Sequence, residues 1–145
     1  MNTLGFFLLM FLGGIAVAVQ PSINGRLAQK IGTLETAAVS FAVGTLALLV
    51  AAAIAGRGSF RALADARGWE LTGGFLGAFF VTLTIIIVPR IGTAAAMAAT
   101  IAAQLTTGIL LDHYGLFGFR TVPLDPKRAL GAALLLAGAA LVFRR

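Results

Sequence analysis

"MAATIAAQLTTGILLDHYG", residues 97–115, decides what kind of protein this is. Reading back from it, no residue between Ile91 and Leu111 is charged, a run of 21. Roughly 20 apolar residues carry an α-helix across the hydrocarbon core of a bilayer. The segment therefore reads as a spanning helix that ends at Asp112-His113-Tyr114-Gly115. Gln104 is the exception within it, a primary amide at the centre of the run. An amide facing lipid without a partner costs kilocalories, so this one must face protein, water or a solute.

Working outward, four further apolar runs accompany this one. The spans expected are 3–25, 34–55, 71–88, 93–111 and 129–143, all within one transmembrane domain over residues 1–145. The first could be mistaken for a leader peptide, but it lacks a basic residue ahead of its apolar core, and we read it as a spanning helix. The chain is 59% hydrophobic and 11% charged, with a mean hydropathy of +0.99. A soluble domain of 145 residues could not bury that much apolar surface. The fold class expected is all-α, a polytopic membrane protein with five transmembrane helices. Asp125 as N-cap and Pro126 at the first helical position open the last helix. The linker 56–69 has room for a short surface helix, with Phe60 and Leu63 on its apolar side and Trp69 at headgroup level.

There is no cysteine and one histidine, and the acids number five, so no cofactor and no metal site is expected. The net charge of +6 is scattered between apolar runs, as for loops at anionic headgroups, which argues against a nucleic-acid surface. No nucleophile–base pair stands at membrane depth, so catalysis is not expected either.

The distribution of the basic residues is informative. Five spans put the termini on opposite faces. One face carries Arg57, Arg61, Arg67, Arg120, Lys127 and Arg128, and the other Arg26, Lys30, Arg90, Arg144 and Arg145. Orientation follows the Lys/Arg bias, and six against five is almost none. Dual topology follows as an expectation: copies insert both ways up and pair as an antiparallel homodimer, or with an oppositely oriented paralogue, in a ten-helix assembly. The chain also repeats under a shift of 60 residues, which carries Gly13-Gly14 onto Gly73-Gly74 and "KIGT" (30–33) onto "RIGT" (90–93).

Polar residues inside the spans are candidates for function. Thr100, Gln104, Gly108 and Asp112 recur every four residues and form one stripe on the fourth helix. Gln20 and Asn24 flank Pro21 in the first, where a proline kinks, breaks or ends a helix and frees a carbonyl. Ser40 and Thr45 are secondary, since a hydroxyl satisfies itself on its own helix. Gln20, Asn24, Ser40 and Gln104 are the substrate-binding candidates. Amides offer donors and acceptors without a counter-charge, which suits a neutral or zwitterionic solute. Asp112 and His113 are candidates for a gate or proton relay, against the plainer reading of an interfacial helix end. Small residues let helices approach closely in lipid, and Gly73, Gly77, Gly108, Ala129, Ala133 and Ala137 are expected at helix contacts.

Several of these strings recur together. "SFAVGTL" (40–46), "GGFLGAFFV" (73–81), "PRIGTA" (89–94), "AAQL" (102–105), "LLDHYGLFG" (110–118) and "RALGAALLLAGAALV" (128–142) resemble the YdcZ-like family, a five-helix branch of the drug/metabolite transporter superfamily. The resemblance covers nearly the whole chain. It implies solute transport through two oppositely oriented halves, in the bacterial inner membrane. The small multidrug branch of that superfamily carries a membrane-embedded glutamate in its first helix. Here the first helix has no acid, and Gln20 and Asn24 are its polar groups. The function expected is alternating-access transport of a small organic solute. The rivals are a dual-topology ion channel and a non-transporting assembly subunit.

Overall fold

The computed structural model describes residues 3–118 and 120–143. Five α-helices follow in order: α1 Thr3–Ile31, α2 Thr33–Ala55, α3 Gly73–Ile91, α4 Thr93–Tyr114 and α5 Pro126–Phe143. All five are long and apolar enough to cross a membrane. The exposed side chains make the same point. Leu4, Phe6, Phe7, Leu8, Leu9, Met10, Phe11 and Leu12 are all more than half exposed on α1. A patch of that extent would drive aggregation in water and costs nothing against acyl chains.

Helix ends depart from the expected spans, for local reasons. α1 runs six residues past residue 25 and passes through Pro21 without ending there. The missing N–H at Pro21 frees the Val17 carbonyl, a loss that spanning helices tolerate when the rest of the helix is packed. Pro21, Asn24 and Gly25 are indeed buried. At 29 residues α1 is about 44 Å long at 1.5 Å per residue, more than the ~30 Å core, so its end reaches headgroup level. α5 begins at Pro126 because the Asp125 carboxylate accepts from the Arg128 N–H at 2.9 Å. The linker 56–72 holds two short 3₁₀ turns, Phe60–Asp65 and Gly68–Leu71, in place of one surface helix. Phe60, Leu63 and Trp69 are exposed there.

Single glycines make the tight connections. Gly32, between α1 and α2, has φ 98° and ψ 162°, and Gly92, between α3 and α4, has φ 85° and ψ 156°. Both lie in a region of backbone space that is essentially closed to side-chain-bearing residues. Each glycine carbonyl then accepts the N–H four residues on, Thr36 at 3.1 Å and Ala96 at 3.2 Å. The two turns that the 60-residue shift superposes thus share one backbone geometry.

The chain divides into two compact units, one ending at Arg90 and one beginning at Ile91. In the first, Ala37 of α2 with Val81 and Ile85 of α3 form a core, flanked by Ala28, Phe41 and Phe80. In the second, α4 packs against α5.

Candidate functional site

Three of the polar residues singled out in the sequence meet within the first unit. Asn24 and Ser40 stand eight residues either side of Gly32, so the antiparallel α1 and α2 bring them level. The Asn24 amide donates to the Ser40 hydroxyl at 3.3 Å. Asn24 is 6% exposed. One turn further along, Gln20 and Ser40 line a cleft of about 190 Å³ with Phe41, Gly44, Thr45 and Leu48. Its depth follows from helix geometry. Ser40 lies eight residues and Gln20 twelve from Gly32, or roughly 12 and 18 Å along the helices. Half the hydrocarbon thickness is about 15 Å, so a turn at the membrane edge places the cleft near the midplane. Every polar group in its lining is an amide or hydroxyl, and none carries charge.

The second unit holds the remaining candidates. Gln104 is exposed on α4, twelve residues past Gly92, as Gln20 is twelve before Gly32. Under the 60-residue shift Gln104 takes the register of Gly44 and Thr100 that of Ser40. Thr100 donates to the Ala96 carbonyl at 2.9 Å and so satisfies itself. Gly108 has open space around its Cα.

Asp112 and His113 lie at the other end of α4, where the connection to α5 is fastened down. Gly115 closes the helix in the left-handed conformation. The Asp112 carboxylate accepts from the Arg128 guanidinium. The same guanidinium donates to the Val122 carbonyl at 2.9 Å. The Val122 N–H reaches the Asp112 carbonyl at 2.9 Å, and the Leu124 N–H reaches Nδ1 of His113 at 3.2 Å. The last bond requires His113 Nδ1 to be unprotonated, with any ring proton on Nε2.

This arrangement of five spans and an uncharged midplane cleft can be set beside known proteins. The family described as "Putative inner membrane exporter, YdcZ" matches residues 5–141. "Inner membrane protein YdcZ" of Escherichia coli (strain K12) is 34% identical over 146 residues, covering 94% of this chain and 93% of that one. The chain belongs to the YdcZ family. It is accordingly a multi-pass inner-membrane protein of transporter type, and its family is not a class of enzymes. No solved structure matches it.

Other features of this YdcZ-family chain were less visible in its sequence. Of the small residues expected at contacts, Gly77 meets a neighbour closely: a methyl there would stand 3.2 Å from Cζ of Phe41. Gly73 has open space. Ala129, Ala133 and Ala137 are exposed along α5, whose half-buried positions are instead Arg128, Gly131, Ala132 and Ala139. The sequence reading did not single out Phe41, Gly44 or Leu48 as cleft lining, although they share with Ser40 and Thr45 a stretch of nine residues on α2. It also missed Arg128 as the partner of Asp112, sixteen residues away, which no spacing rule reaches.

Proposed function

We propose that the chain exports a small neutral or zwitterionic organic solute from the cytoplasm by alternating access, as an antiparallel pair of copies or with an inverted paralogue. The observation that carries this is the cleft between α1 and α2, near the midplane, with Gln20, Ser40 and Thr45 as its polar lining. Polar groups at that depth are expensive and are kept where a solute or ion needs them. Donors and acceptors without charge hold a dipolar solute and give a bare ion no counter-charge. The volume, about 190 Å³, lies below the roughly 300–1,000 Å³ of sites for drug-sized ligands, so the solute is small or is shared with a second copy. Gln104 supports the second copy: an exposed amide in mid-span calls for a polar partner. The membership of an exporter family supports the direction.

In this reading Gln20, Ser40 and Thr45 bind solute, Asn24 positions Ser40 through its hydrogen bond, and Gln104 of a second copy adds a further amide. Asp112 and His113 govern one end of the path by holding the connection between α4 and α5, and its release would open that end. The direct test is the composition of the medium around cells producing the protein. At least one uncharged solute is expected to accumulate there and to stop accumulating with Gln20→Leu at equal protein level. Identical media for the parent, the variant and non-producing cells would refute the reading.

A further inference from the structure

Phe41 stands at two surfaces at once. Its ring lines the cleft beside Gln20 and Ser40, and it packs against the core of Ala37, Val81 and Ile85. Behind it lies Gly77 of α3, where a built Cβ would be 3.2 Å from Cζ and 3.5 Å from Cε1 of the ring. The first distance is closer than carbon atoms ordinarily pack. The other glycines near the start of α3, Gly73 and Gly74, would meet nothing within 4 Å. A side chain at residue 77 would therefore require the Phe41 ring to give by a few tenths of an ångström.

We propose that Phe41, braced against Gly77, sets the width of the cleft and is its specificity-determining residue. The inference rests on the cleft being the transport site. The core of Ala37, Val81 and Ile85 is close-packed and yields little, whereas the cleft is open. A ring pushed by any group at residue 77 moves into the cleft. With Phe41 in place, the cleft takes a solute whose apolar part is compact and aliphatic, lying between the ring and Leu48, while its polar end meets Gln20, Ser40 and Thr45. A solute with an aromatic or branched group is turned away.

The chain has no cysteine, so the cleft can be probed without knowing its ligand. Ser40→Cys places one thiol in the cleft wall. Its rates of modification by methyl and by benzyl methanethiosulfonate, in reconstituted membranes, compare a small with a bulky visitor. Gly77→Ala in that background is expected to lower the benzyl-to-methyl ratio by roughly fivefold or more, the lower end of what overpacking by one methyl produces. Adding Phe41→Leu should restore the ratio, and Phe41→Leu without Gly77→Ala should raise it above the parent. Gly73→Ala, facing open space, should leave it unchanged. An unchanged ratio in both Gly77→Ala and Phe41→Leu overturns the proposal, as does an equal effect from Gly73→Ala. Phe41→Leu in the unmodified chain should also add bulkier solutes to those found in the medium. If the labelling ratio moves as expected while the medium of the parent matches that of non-producing cells, the width control stands and the transport reading falls.

Discussion

Threonine hydroxyls on the described helices differ in whether they find a partner. Thr82, Thr84, Thr100 and Thr106 each donate to a carbonyl of their own helix at 2.8–2.9 Å. Thr36 does not: it is 0% exposed and its hydroxyl has no partner among the described residues. The Gly32 carbonyl one turn back already takes the Thr36 N–H. An orphaned hydroxyl keeps its desolvation cost, and an isosteric apolar replacement removes it. Thr36→Val is therefore expected to stabilise the protein by about 1 kcal/mol, read as a higher unfolding temperature in detergent. A lower temperature would mean that water or solute holds the hydroxyl in the membrane. Asn24 and Ser40 should behave in the opposite sense. Ser40→Ala leaves a buried amide without its acceptor and should cost about 1–3 kcal/mol. Asn24→Leu combined with Ser40→Ala removes both partners, so the double variant should be more stable than Ser40→Ala alone. If the two changes simply add, the 3.3 Å bond carries no stability.

At the scale of elements, the glycine turns and the fastened connection make separate demands. Gly32 and Gly92 hold nearly the same dihedral angles, which an alanine reaches only with strain of about 1–3 kcal/mol. Gly32→Ala and Gly92→Ala should thus destabilise by similar amounts, measurable as matched falls in unfolding temperature. A large effect at one and none at the other would break the equivalence of the two repeats. At the far end of α4, Arg128 serves both the Asp112 carboxylate and the Val122 carbonyl. The Arg128 and Asp112 side chains are 28% and 43% exposed, so solvent screens the ion pair and it is worth no more than about 1 kcal/mol. Arg128→Ala should then cost more than Asp112→Asn, since it alone also abandons the carbonyl. Much of this was legible beforehand. The five runs and the Asp125 cap announce themselves through local rules of length and capping. The level of Asn24 with Ser40 follows once Gly32 is known to be a one-residue turn. The expected first span already runs through Pro21, and what stayed hidden is how far α1 continues beyond residue 25, to Ile31, together with the partner of Asp112. Arg128 and Asp112 are sixteen residues apart on different helices, and no helical periodicity pairs them.

For the whole molecule the question is orientation, and loop charge decides it. A chain inserts with its more basic face toward the cytoplasm, and each Lys or Arg near a span weighs on the outcome. Five successive spans would put the two long connections on one face with six such residues and leave five for the other. Residues 26 and 30 are basic and lie within α1, but near its end, where their long side chains reach headgroup level. They therefore still count. With so small a bias, a reporter fused after residue 145 is expected to signal from both sides of the membrane in one population. The stronger test adds charge. Ser59→Lys with Ala62→Lys, both on the exposed 56–72 linker, should drive all copies to hold that linker in the cytoplasm. Arg57→Ala, Arg61→Ala and Arg67→Ala together should drive them the other way. If two inverted copies are needed to enclose Gln104 and the α1–α2 cleft, either set alone should abolish solute release to the medium. Producing the two sets together should restore it. Release from one uniformly oriented set, unaided, would show that copies facing the same way suffice, and the antiparallel assembly would have to be abandoned.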